Sequence, residues 1–316
     1  MNTLDWIAKW ADYTPTKKAL SSFDTDEQYT YKEVHTYANR LVEKFTNLGL
    51  EEGDRIAVLA EHSIDYIVLF SACQRMGVIL VPLNYRLTVS EITDLLKDCN
   101  PKLLIYNKNQ QNKKEKLAYK VENSYAFSSL KKYFKSEVKL EESCFLIKEN
   151  NPLFIFYTSG TTGLPKGVML SHSNLVSNVL GAEKRLPIDE DQRALSFLPL
   201  CHVFERMLDY LCIYKSVSVY YAESIEMIGD NLKEVKPHIF GTVPRLLEKV
   251  YDKIVAKGND LNGIKKVLFF WSLKLGLKYD PIKSGGTLYE LKLQLANKII
   301  FNKNFLQPTF WFFYLR

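Results

Sequence analysis

The sequence is poor in cysteine, and the cysteines it has form no pattern. Cys73, Cys99, Cys144, Cys201 and Cys212 are an odd five with no C-x-x-C pair. That argues against a disulfide framework or a zinc site and for a reducing compartment, so a cytoplasmic location is expected. No window approaches the roughly 18 apolar residues of a membrane-spanning helix. The opening MNTLDWIAKWADYTP lacks a continuous apolar stretch, so no secretory leader is expected there. Its Leu4, Ile7, Ala8 and Ala11 share a face at helical spacing, which predicts an amphipathic surface helix. The net charge of +6 is also low, with Lys and Arg spread along the chain, so no nucleic-acid partner is expected. A diffuse positive field could still help collect anionic substrates.

What is present reads as an α/β protein. The 316 residues are 47% hydrophobic and 25% charged, ordinary for a globular chain of one large domain or two smaller ones. Thr30 is placed to cap a helix whose buried face is Val34, Tyr37, Ala38, Leu41, Val42 and Phe45, with Gly49 past its end. RIAVLA then reads as a buried strand, Ile64–Met76 as a helix, and VILVPL as a strand. A helix over residues 90–98 and the strand KLLIYN follow. Strands alternating with helices predict parallel-rich sheets layered with flanking helices. Residues 107–149 are Lys-rich and polar. They read as a flexible connection with one weak element near residues 125–130.

From Pro152 the alternation resumes. LFIFYT and GVMLSH read as strands, followed by a helix over residues 174–185, the strand ALSFLPL and the helix HVFERMLDYLCIY. SVSVYY, a helix over residues 225–235 and HIFGTV come next, and a long helical region begins near Arg245. The last residues, NFLQPTFWFFYLR, break the pattern with six apolar residues in the final seven.

Between the first two of these strands lies a run with little to bury. Thr158, Ser159, Gly160, Thr161, Thr162 and Gly163 are all small or hydroxylated, and Lys166 follows. Glycines let backbone N–H groups converge on phosphate oxygens. The hydroxyls add donors and Lys166 adds a point charge. Ordering such a loop calls for an outside partner, and a polyphosphate fits. The spacing is not that of a Walker A loop: Gly160 and Gly163 are three apart, Lys166 lies three further on, and a strand follows instead of a helix.

YTSGTTGLPKG, from Tyr157 to Gly167, closely resembles the signature loop of the adenylate-forming enzymes, which include acyl-CoA synthetases, coumarate–CoA ligases, luciferases and peptide-synthetase adenylation domains. The resemblance implies that residues 158–166 embrace the β- and γ-phosphates of ATP and that Thr158 helps hold Mg²⁺. SFLPLCHVFERM is similar to the family's next motif. It implies that His202 lies at the acyl site, close to the carboxylate that reacts. Amino-acid-activating members carry an aspartate here, and SFLPLCHVF has no acidic residue. Glu205 and Arg206 read as a surface or internal ion pair. PHIFGTVPRLLEKVYDKI, together with PLCHVFER, looks most like the long-chain fatty acyl-CoA synthetases, and implies that Thr242, Val243 and Pro244 line an acyl tunnel. The expected substrates are a fatty acid, ATP and CoA, and a lipid substrate is compatible with peripheral membrane contact. An aromatic acid of the coumarate type is an alternative substrate, and a non-catalytic phosphate-binding remnant is an alternative function.

The resemblance covers about residues 4–302, so residues 1–303 read as an incomplete N-terminal domain and 304–316 as an atypical aromatic tail. The family's Y-G-x-T-E and T-G-D motifs are absent, as is the C-terminal domain with its lysine. The expectation is a chain with its phosphate grip but little adenylating activity, its reading frame lost near Asn304.

Overall fold

We describe the chain from a computed structural model, over residues 5–134, 148–158, 165–224, 226–278 and 286–298. The aromatic tail and the proposed frame loss lie outside the described residues. The chain divides into two compact units, Met1–Gly241 and Thr242–Arg316.

The first unit runs α1 (Trp6–Tyr13), β1 (Lys18–Ser22), β2 (Gln28–Thr30), α2 (Tyr31–Asn47), β3 (Arg55–Leu59), α3 (Ile64–Met76), β4 (Ile79–Leu83), α4 (Val89–Cys99) and β5 (Leu103–Tyr106). It continues with α5 (Gln111–Glu115), β6 (Asn123–Ala126), α6 (Phe127–Phe134), β7 (Pro152–Thr158), β8 (Lys166–Ser171), α7 (His172–Glu183), β9 (Arg193–Ser196), α8 (Val203–Tyr214), β10 (Ser218–Tyr221), α9 (Ile228–Val235) and β11 (Ile239–Phe240). The second unit holds α10 (Pro244–Asn259), α11 (Gly263–Gly276) and α12 (Gly286–Ala296).

The described strands form two mixed, mostly parallel sheets, in the orders β6-β5-β3-β4-β7-β8 and β11-β9-β10-β1-β2. β7–β8 and β1–β2 are antiparallel and the other described pairs are parallel. The central strands β3 and β4 alternate between two cores. Ile56, Val58 and Leu80 face a large core shared with α2, α3 and the second sheet, while Ala57, Leu59, Val81 and Leu83 face α4. Strands buried on both faces are nearly all apolar, which is why RIAVLA and VILVPL were readable as strands.

The expected amphipathic N-terminal helix is present and docks its apolar face on the core while Asp12 and Tyr13 stay exposed. Trp6 and Ile7 are buried, Trp10 Nε1 donates to the Ile213 carbonyl at 2.8 Å, and Asp5 both caps the helix and pairs with buried Arg75 at 2.8 Å. Over its described residues 107–134, the Lys-rich connection holds more regular structure than the one weak element expected near 125–130. β6 extends the first sheet, and Phe127, Leu130 and Phe134 of α6 are buried. Its lysines have partners that composition does not reveal: Lys131 pairs with Asp65 at 3.1 Å and also with Glu27. No described helix is long and apolar enough to cross a membrane.

Candidate active site

Open α/β sheets bind ligands beyond the carboxyl ends of their strands, where neighbouring strands send the chain in opposite directions. β4 and β7 are such a pair. β4 leads back across β3 to β5, and β7 leads outward to β8.

β7 and β8 pair in register with Tyr157 opposite Gly167 and Thr158 opposite Lys166. The two strands expected on either side of the glycine-rich run are therefore present and paired. Leu153, Phe154 and Phe156 anchor β7 in the large core, while Thr158 and Lys166 are exposed at the mouth of the hairpin. Tyr157 fixes the strand end by donating to Asp98 Oδ2 at 2.5 Å, and burial together with that bond raises its pKa. Gly167 is a packing requirement: a Cβ there would lie 2.9 Å from Ile155 Cγ2 and 3.3 Å from Tyr157 Cε1. Ser159, Gly160, Thr161, Thr162 and Gly163 lie outside the described residues.

Lys166 has no carboxylate partner among the described residues. An uncompensated ammonium facing a hydroxyl across a hairpin mouth suits a polyphosphate. No described group of three or more His, Cys, Asp or Glu side chains could hold a metal ion. Thr158 could contribute one oxygen ligand, so a magnesium ion would need further oxygens from the phosphates themselves.

His202 stands at the N-cap position of α8, exposed, its N–H donating to the Pro199 carbonyl at 3.0 Å. Desolvation lowers its pKa and the positive charge of Arg86 lowers it further, which favours a neutral ring. The expected Glu205–Arg206 ion pair is corrected: both are buried but face different partners. Glu205 Oε1 accepts from Ser196 Oγ at 2.7 Å and from the Phe197 N–H at 3.0 Å, and burial followed by nearby Asp209 pushes its pKa up to about 8. Arg206 donates to the Leu200 carbonyl at 2.9 Å and the Tyr210 hydroxyl at 3.2 Å, with its guanidinium 4.5 Å from the Tyr66 ring centre. Adjacent side chains on a helix point about 100° apart, so one grips the end of β9 and the other the loop before His202. Between them they hold residues 196–202 from within.

Thr242, Val243 and Pro244 open the second unit. Val243 is the N-cap of α10 without a side-chain cap, and Pro244 occupies its first turn, where a missing N–H costs nothing.

Sequence reasoning passed over the turn after β4 and the segment after β3. Tyr85 and Arg86 follow β4, and the Arg86 guanidinium lies 5.5 Å from the Tyr85 ring centre. Burial raises the Tyr85 pKa, Arg86 opposes that rise, and Glu61 adds to it. His62, after β3, places Nε2 2.9 Å from the Ala222 carbonyl beyond β10, and its ring stacks on Tyr221 at 6.2 Å. Position immediately after a predicted parallel strand was the available signal for all four residues.

The family model described as "AMP-binding enzyme" matches residues 7–282. The chain is 30% identical over 312 residues to Long chain acyl-CoA synthetase 3 of Arabidopsis thaliana, covering 87% of this chain and 45% of that protein. It is 26% identical over 328 residues to Long-chain-fatty-acid–CoA ligase ACSBG2 of Xenopus laevis, covering 94% of this chain and 44% of that one. Among solved structures, the inhibitor-bound N-terminal domain of FACL13 from Mycobacterium tuberculosis superposes with a TM-score of 0.72. The identity is 27%, covering 78% of this chain and 64% of that one. The chain thus spans a little under half the length of the two curated relatives.

Proposed function

Because the chain belongs to the AMP-binding enzyme family, we propose that it carries the phosphate grip and acyl-side residues of a fatty acid–CoA ligase. The observation that supports this most directly is the β7–β8 hairpin, which sets Thr158 and Lys166 opposite one another at the ends of the loop YTSGTTGLPKG. In the proposed reaction a fatty acid carboxylate oxygen attacks the α-phosphorus of ATP. The bond from the α-phosphorus to the bridging oxygen breaks, and pyrophosphate leaves. The CoA sulfur then attacks the acyl carbonyl of the adenylate, releasing AMP and forming the thioester.

This chain's residues serve the first step. Lys166 balances charge gathering on the departing pyrophosphate. The hydroxyls of Thr158, Ser159, Thr161 and Thr162 donate to phosphate oxygens, and Gly160 and Gly163 let the backbone approach. Preorganised donors of this kind supply a large part of a rate enhancement. Mg²⁺, held partly by Thr158, would supply further charge neutralisation. His202, uncharged, would offer a hydrogen bond at the carboxylate end of the acid without competing for its negative charge, and Thr242, Val243 and Pro244 would bound the alkyl chain. We read residues 1–303 as part of one N-terminal catalytic domain.

Equilibrium binding of ATP and tripolyphosphate tests the grip. Hydrogen bonds to charged groups contribute about 1.5–3 kcal/mol, so Lys166→Ala should weaken either ligand at least about tenfold. A wild-type chain that binds neither ligand would overturn the reading. ATP–pyrophosphate exchange with saturated fatty acids and with hydroxycinnamates then asks which acid drives the reaction. Exchange driven only by the aromatic acids would replace the fatty acid in this proposal.

A further inference from the structure

The turn after β4 is held more firmly than an exposed turn needs to be. Asn84 Oδ1 accepts the Arg86 N–H at 3.0 Å, and the Asn84 carbonyl accepts the Leu87 N–H at 3.1 Å. Thr88 then caps α4, its N–H donating to Glu91 Oε2 at 2.7 Å. Lys113 reaches in from α5 and donates to the carbonyls of Tyr85 at 2.5 Å and Leu87 at 2.8 Å, on either side of Arg86. An ammonium is thereby committed to fixing the backbone of one arginine.

That arginine has no carboxylate partner among the described residues, and its side chain is exposed. It sits beyond the carboxyl end of β4, the strand paired with β7, and so belongs to the same sheet edge as Thr158. Its charge reaches His202 and Cys201 on the segment after β9, at the carboxyl end of the second sheet. Glu61 is the acidic side chain felt in this neighbourhood, through Tyr85. Two cationic side chains, a fixed turn and an uncharged imidazole therefore meet where the two sheets present their strand ends. A guanidinium offers a planar fork that matches an oxyanion.

We infer that Arg86, held by Asn84 and Lys113, is an oxyanion-recognising residue facing His202, binding either the carboxylate of the acid or a phosphate of the co-substrate. This rests on the ligase reading above, and it adds a residue which that reading does not use.

Calorimetric titration of the whole chain with decanoate, decanol and tripolyphosphate tests it. Arg86→Gln should lower the affinity for one of the two anions about tenfold and leave decanol unchanged, and Arg86→Lys should restore part of the loss. Loss for decanoate assigns a carboxylate site, and loss for tripolyphosphate assigns a phosphate site. Lys113→Met should move the same anion in the same direction by less. Arg86→Gln should also raise the His202 ring pKa followed by NMR, which checks that the two side chains are neighbours. Since Arg86 is exposed, the thermal unfolding curve should be unaltered. Unchanged affinity for both anions in Arg86→Gln overturns the inference. If Lys166→Ala still weakens tripolyphosphate, the ligase reading survives that failure. A wild-type chain that binds neither anion overturns both.

Discussion

The two compact units obey different physics. Before Thr242 the chain carries 29 Lys and Arg against 31 Asp and Glu; from Thr242 onward it carries 13 against 5. Basic residues are spread along the sequence, but the net positive charge is not. Burial divides the same way. The first unit buries whole strands and helix faces, from Leu20 to Tyr221. Among the described residues of the second unit, no hydrophobic side chain larger than alanine is buried, while Ile264, Val267, Leu277, Leu288 and Leu291 are all more than 60% exposed. The first unit is stabilised by apolar surface withdrawn from water. The helices of the second rest on local propensity and a few mutual contacts, with a positive charge that repels itself.

The sharpest way to break this comparison is to truncate one large side chain in each unit. Phe154 is 1% exposed, stacks on Phe70 at 5.5 Å and lies 5.2 Å beneath the Arg206 guanidinium. Phe154→Ala should destabilise the chain by about 3–5 kcal/mol in denaturant unfolding. Leu288, 66% exposed, should tolerate the same change within about 0.5 kcal/mol. Equal losses would mean that the second unit has a core of its own.

A smaller, pH-dependent effect should appear only in the first unit. Glu205 and Asp209 are buried, and burial pushes their pKa values up to about 8 and about 7. A carboxyl whose pKa is raised in the folded state binds more protons there than in the unfolded chain. Its contribution is fully present below the ordinary carboxyl range and is lost as pH rises towards about 8. Stability should therefore fall between pH 5 and pH 8, and Glu205→Gln, which keeps an oxygen for Ser196, should flatten that slope. A slope unchanged in the variant would exclude Glu205 as its source.

What was legible in the sequence was what is decided locally. Helix α3 was read to the residue, because Gly77 closes it at φ +69° and an apolar run fills it. The glycine-rich loop stood out because its small and hydroxylated residues lie within ten positions of one another, and the two strands read on either side of it are present. β1 and β2 were not read, since β1 owes its strand state to pairing with β10, Leu20 lying opposite Val219 two hundred residues away. The described part of the Lys-rich stretch, 107–134, holds more structure than its composition suggested, for the same reason. The lysine charges dominate the composition, while the partners that hold them, such as the carbonyls beside Arg86, come from elsewhere in the chain. Arg86 itself looks like any surface arginine until the fold sets it near His202.

The least of the expected differences concerns helix starts, and it asks whether the contrast extends to local interactions. Thr30 closes a reciprocal capping box with Glu33: its N–H donates to Glu33 Oε2 at 2.7 Å, and its Oγ1 accepts the Glu33 N–H at 3.3 Å. Thr30→Ala removes the hydroxyl acceptor and should cost about 1 kcal/mol. Asn262 holds the same position before α11, but its side chain makes no cap hydrogen bond. Asn262→Ala should therefore cost only a few tenths of a kcal/mol, since the residue type confers a cap only when its oxygen reaches the N–H groups of the first turn. Measured by the same denaturant unfolding, a full capping loss at Asn262 would show that this helix start engages its side chain in solution and would narrow the contrast to burial and charge.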